Sequence, residues 1–162
     1  MREVLFRAKH YRTKEWVYGI PFKNPANGID GGAYYPQIIP EIKGLHDTVH
    51  SSSVIEETLG QYTGLTDNNG VKIFEGDIVK IYDSYDLLHY DNPDYQVSKV
   101  FYSDGALCVD YHTSDYDYTV MGWIKDVEFE VIGNIHDNPE LLEGAAKMAD
   151  DPAEQLGLAP AT

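Results

Sequence analysis

The chain has 162 residues, with 27 acidic against 12 basic side chains and a formal net charge of −15. That length suits one domain able to bury a real core, and the single cysteine, Cys108, excludes an internal disulfide. The charge argues against generic phosphate-backbone binding, which needs Lys and Arg to displace counterions; it suits a solvated surface, basic partners or cations.

Residues 3–22 read as a β-hairpin. Val4, Phe6 and Ala8 alternate with Leu5, Arg7 and Lys9. A polar stretch from Tyr11 to Glu15 then leads into Trp16-Val17-Tyr18-Gly19-Ile20. Pro21 and Pro25 are expected to stop the second strand from continuing as a central one. Residues 23–36 are rich in Asn, Gly, Pro and Asp and read as loop; Gly31-Gly32 is not followed by the Gly-Lys-Ser/Thr of a phosphate cradle. A short strand, interrupted at Pro40, is expected within 37–45. His46 and His50 are four apart, but Asp47 stands where a zincin has Glu, and the Ser-rich surroundings suit a loop or strand better than a helix.

Strands are expected near 54–58 and 59–63. Asp67-Asn68-Asn69-Gly70 is a turn, its Asn-Gly pair pointing to type I′ geometry. The run Lys72 to Tyr82 follows, with a Gly76-Asp77 turn feeding Ile78-Val79-Lys80-Ile81, an arrangement analogous to the start of SH3-like barrels. Residues 83–95 form an acidic, tyrosine-bearing insertion. β pattern resumes over 96–102, turns at Ser103-Asp104-Gly105 and continues from Ala106 to Tyr111. The last strands are expected at 120–124 and 128–135. Asn138 is placed to cap a short helix beginning at Pro139, and the Ala-, Asp- and Pro-rich stretch 144–162 is expected to fray. Cys108, inside Ala106-Leu107-Cys108-Val109, reads as a small buried hydrophobe.

The expected fold class is therefore mostly β, either all-β or α+β with one short C-terminal helix. It has a partly open SH3-like barrel core, an N-terminal hairpin and long inserted loops. One β domain spans 1–143. No run of about 18 apolar residues occurs, and Met1 to His10 lacks the apolar stretch of a signal peptide. A cytoplasmic protein, with no membrane contact, is expected.

Three segments together resemble one family. They are Arg2 to Ala8 with Trp16 to Gly19; Gly60-Gln61-Tyr62-Thr63-Gly64-Leu65-Thr66-Asp67-Asn68-Asn69-Gly70 with Ile73 to Val79; and Glu130 to Leu142. In order and spacing over 2–143 they are similar to the YopX family of phage and prophage proteins. The resemblance implies a phage or prophage origin, with a bacterial host cell as the expected location, and a mostly-β fold. It implies no reaction. The motif residues Gln61, Tyr62, Gly64, Asp67, Gly70, Phe74, Glu75, Gly76 and Asp77 have a structural reading of their own. The glycines, with Gly133, stand where the chain turns or packs closely. Tyr62, Phe74 and Ile78 fill the interior, and Asp67 and Asp77 bond turn amides.

No Ser-His-Asp, Cys-His or P-loop pattern is present. The leading functional reading is a non-enzymatic binding or assembly module, self-associating or docking a host or phage protein. Its candidate contact residues are Tyr82, Tyr85, Tyr90, Tyr95, Tyr111, Tyr116 and Tyr118, because aromatics bury large area at low entropy cost. No cofactor is expected, but a divalent cation has candidate ligands in Asp83, Asp86, His89 and Asp91, with Asp94, Asp110, His112, Asp115 and Asp117 nearby. These support the alternative of a metal-dependent nuclease or hydrolase. Net charge alone supports a second alternative, an acidic DNA mimic that inhibits a host DNA-binding enzyme. A third, disfavoured by the overall charge, is nucleic-acid binding through a local basic patch of Arg2, Arg7, Lys9, Arg12 and Lys14.

Overall fold

The expected N-terminal hairpin forms. Strand β1 (Phe6–Lys9) pairs antiparallel with β2 (Trp16–Phe22), Arg7 opposite Tyr18 and Lys9 opposite Trp16. The connection closes through His10 N–H to the Glu15 carbonyl at 2.8 Å, with Lys14 at φ 63°. This computed structural model describes residues 3–22, 37–40, 52–83, 95–110, 119–121 and 127–143. It separates into two units: Met1–Leu65 with Lys72–Glu75, and Thr66–Val71 with Gly76–Thr162.

In the first unit a six-stranded sheet has the order β4-β3-β2-β1-β5-β6, where β3 is Gln37–Pro40, β4 Ser52–Ser53, β5 Gly60–Thr66 and β6 Lys72–Phe74. Period-two alternation sends Ala8 and Val17 to one face, where they pack with Ile38, Val54 and Leu59. Arg7, Lys9, Trp16, Tyr18 and Ile20 fall on the other face. The sequence expectation for Pro21 holds: past Gly19 the strand no longer continues as a central one. β2 lies between β1 and β3 and runs through Pro21, which pairs with Ile38. The last β1 partner is Phe6 opposite Gly19, so at Pro21 only β3 lies beside the strand, and a residue without an N–H is tolerated there.

The expected strand at 54–58 is corrected. Val54 makes an isolated bridge to His10, and Glu56–Thr58 is a 3-10 turn. The turn completes β1: Ile55 N–H donates to the Lys9 carbonyl at 2.9 Å, and Lys9 N–H donates to Thr58 Oγ1 at 2.8 Å. A threonine hydroxyl does here what a ladder carbonyl does elsewhere.

In the second unit a five-stranded antiparallel sheet has the order β10-β9-β8-β7-β11: β7 Asp77–Asp83, β8 Gln96–Ser103, β9 Ala106–Val109, β10 Thr119–Val120 and β11 Val127–Asn134. Ile78, Val79, Ile81, Val100, Cys108 and Val109 are fully buried. β8 and β9 meet at Asp104 (φ 49°) and Gly105 (φ 82°), two consecutive left-handed residues, the geometry of a type I′ hairpin whose twist matches its strands. β11 carries a bulge between Val131 and Gly133. A Cβ on Gly133 would lie 2.7 Å from Asn138 Oδ1, so the helical residues 140–143, preceded by Asn138 and Pro139, begin against a bare backbone.

The fold is thus mostly β, with one short C-terminal helix, and among the described residues neither sheet closes on itself. Nor is any helix there long and apolar enough to cross a membrane. The expected loop at 23–36, His46, His50 and the tail 144–162 lie outside the described residues.

Candidate functional site

The turn at Asp67 is built by its own side chain. Gly70 N–H donates to the Asp67 carbonyl at 3.0 Å, and Asp67 N–H donates to the Val71 carbonyl at 2.8 Å. Only Gly70 (φ 78°) is left-handed, so the expected type I′ turn is replaced by a three-residue loop ending in a glycine, because Asp67 holds Asn69 in place. Asp67 Oδ1 accepts from the N–H groups of Asn69 and Val71, each at 2.8 Å, and Oδ2 accepts from Val131 N–H at 3.1 Å. Asn68 N–H donates to the Phe129 carbonyl at 3.0 Å. Phe129 and Val131 lie on the outer side of β11, an edge strand, so this loop occupies its open backbone groups. Burial raises the Asp67 carboxyl, but the N–H groups of Val131, Val71 and Asn69 together outweigh it and hold it below the ordinary aspartate value.

On the outer face of the same sheet, Lys80 stands opposite Glu130 and Tyr82 opposite Glu128. The Tyr82 hydroxyl donates diagonally to Glu130 Oε2 at 2.7 Å. The Tyr95 ring packs 5.9 Å from that of Tyr82, and the Lys80 ammonium sits 4.3 Å from the Tyr95 centroid. The bond to the Glu130 carboxylate, with some burial, raises the Tyr82 hydroxyl above the usual phenol range. Tyr82 therefore keeps its proton at neutral pH and donates a hydrogen bond to Glu130.

The first unit presents a second cluster. The Arg7 guanidinium lies 4.4 Å from the Trp16 ring and 4.8 Å from Phe74. The Lys9 ammonium is 5.5 Å from Trp16, and Lys14 is 5.4 Å from Tyr11. Tyr18 meets Phe74 edge-on at 5.7 Å, and Tyr62 meets it at 5.5 Å. Lys72 lies over Tyr62 and pairs with Glu3. Basic heads and aromatic rings thus interleave on one sheet face, around the half-exposed Tyr18.

Of the tyrosines named as contacts, Tyr82 and Tyr95 come together; Tyr85, Tyr90, Tyr111, Tyr116 and Tyr118 lie outside the described residues. Of the metal candidates, Asp83 ends β7, and Asp86, His89 and Asp91 lie outside the described residues. Among the described residues no three His, Cys, Asp or Glu side chains converge to hold a metal ion. The motif residues are placed as follows. Gln61 and Glu75 are joined by Glu75 N–H to the Gln61 carbonyl at 2.9 Å. Tyr62, Phe74 and Asp77 are buried, as is Ile78. Gly64 and Gly76 take φ of 90° and 83°. Sequence reasoning missed Glu130 and Tyr18, whose contacts depend on strand register.

The family model described as YopX protein matches residues 5–143. The chain belongs to the YopX family. Over 77 residues this YopX-family chain is 40% identical to the "SPbeta prophage-derived uncharacterized protein YopX" of Bacillus subtilis (strain 168), a match covering 46% of this chain and 53% of the relative. The chain thus spans about half the length of that curated relative. Among solved structures, it resembles protein EF1440 from Enterococcus faecalis at 29% identity and a TM-score of 0.50, covering 88% of this chain and 99% of that one. It also resembles the crystal structure of YopX from Bacillus subtilis at 23% identity and a TM-score of 0.52, covering 87% and 98%, a likeness of fold alone.

Proposed function

We propose that this YopX-family chain is a non-enzymatic binding module of prophage origin, acting in the cytoplasm of a bacterial host through the outer face of its N-terminal hairpin. One observation carries the reading. On that face and in its connecting turn three large apolar side chains stand exposed: Tyr11 by 44%, Tyr18 by 46% and Ile20 by 48%. They are interleaved with Lys9, Arg12 and Lys14. Clustered exposed apolar groups among charges mark contact surfaces, whereas isolated ones need no explanation. The prophage relative supports the origin.

The test is affinity capture from lysogenic host cells, comparing the natural chain with Tyr18→Ser and Arg12→Glu, followed by mass spectrometry. A partner retained by the natural chain and lost by both variants is expected. Identical captures from all three would remove the hairpin from the reading.

A further inference from the structure

Resting on that reading, we infer that the hairpin face docks onto the acidic C-terminal segment of a second copy of this chain. Residues 4–22 carry four basic side chains, Arg7, Lys9, Arg12 and Lys14, against one acidic, Glu15. Residues 127–143 carry five acidic side chains, Glu128, Glu130, Asp137, Glu140 and Glu143, and no Lys or Arg. Arg12 and Lys14 are exposed, and so are Glu128, Glu140 and Glu143.

Two like faces would repel, so charge favours a contact between different patches of the two copies. The aliphatic exposure of Ile20 suits a protein surface, and Ile135, 37% exposed, supplies an apolar group within the acidic segment. Single-stranded nucleic acid fits less well. Base stacking needs open ring faces, and the rings of Trp16 and Tyr11 already lie under Lys or Arg heads.

Light scattering on the full chain tests this. At about 50 mM salt the mass should exceed one chain, and at about 500 mM, where the Debye length falls below roughly 5 Å, it should return to one chain. Arg12→Glu and the pair Glu140→Lys with Glu143→Lys should each be monomeric at low salt, and mixing them should restore association. Tyr18→Ser, which leaves the charge unchanged, should weaken association about tenfold. A one-chain mass at every salt, a salt-independent oligomer, or no recovery on mixing variants whose circular dichroism matches the natural chain would each overturn the inference. So would a hairpin-dependent gel shift of a single-stranded oligonucleotide by a monomeric chain. A host protein captured through the hairpin by a monomeric chain would overturn this inference and leave the binding-module reading standing.

Discussion

The carboxylate of Asp67 accepts a hydrogen bond from the backbone N–H of Val131 at 3.1 Å, across 64 residues of sequence. The same side chain holds Asn69 and Val71 in its own turn. Asp67→Ala removes both acceptor oxygens and with them all three bonds, leaving three backbone donors without that partner. Each bond to a charged group contributes about 1.5–3 kcal/mol in isolation, with incomplete additivity, so a loss of about 3 kcal/mol is expected. Asp67→Asn should cost roughly half, since one oxygen remains. Urea denaturation with an unchanged slope checks both.

The same carboxyl sets an acid limit. Its folded value lies below the ordinary 3.8. Its contribution is therefore complete above the unfolded value and declines as pH falls from there through the folded value. The natural chain should lose stability more steeply below about pH 4 than Asp67→Asn does, and between pH 5 and 7 the two curves should run parallel. Equal slopes in acid would remove Asp67 from the account.

Tyr82 carries the opposite sign. Its bond to Glu130 favours the protonated phenol, so the stabilisation is present below the ordinary tyrosine value of 10.0 and is lost as pH rises through the higher folded value. In an ultraviolet titration, the difference between the natural chain and Tyr82→Phe should isolate a tyrosine that ionises later than the ordinary value. Glu130→Gln should bring that phenol back down. A difference curve centred at or below the ordinary value in the natural chain would contradict the assignment.

Cys108 is fully buried between strands, and burial pushes its thiol up, with Asp104 and Asp110 adding to the effect. The thiolate is the reactive form. Ellman's reagent should therefore find almost no thiol in the folded chain and one equivalent in denaturant.

Two glycines of the Gly60 to Gly70 motif separate steric from torsional demands. A Cβ at Gly60 would stand 2.3 Å from the Glu75 carbonyl oxygen, whereas one at Gly70 meets nothing within 4 Å but must hold φ 78°. Gly60→Ala should cost about 2–3 kcal/mol through forced backbone movement. Gly70→Ala should cost about 1 kcal/mol through the left-handed torsion alone. Urea midpoints of the two variants give the ordering directly.

Local chemistry was legible in the sequence. Ser103-Asp104-Gly105 and Asp67 to Gly70 each announced a turn, because left-handed residues and Asx acceptors act within a few positions. The burial of Tyr62, Phe74 and Ile78 followed from the strand pattern, and that of Cys108 from its apolar run. Register was not legible. Tyr82 reaches Glu130 only because β7 and β11 pair with Lys80 opposite Glu130, and no spacing rule gives that offset. Pro21 was legible: past Gly19, over residues 20–22, β2 has only β3 beside it, where a residue without an N–H fits. The 54–58 segment misled because its β-branched residues suit a strand, while Thr58 spends its hydroxyl on Lys9. The sequence offered the hairpin only as a basic patch for nucleic acid and placed the contact surface on other tyrosines, because the interleaving of its cations with Trp16, Tyr18 and Phe74 depends on register.

Asp67 and Asn68 occupy the backbone groups of Phe129 and Val131, where a guest peptide would begin its ladder if it were to extend the five-stranded sheet at β11. That mode of capture reads main-chain spacing first and side chains second. With those two positions already taken, strand addition has no free ladder group to start from there.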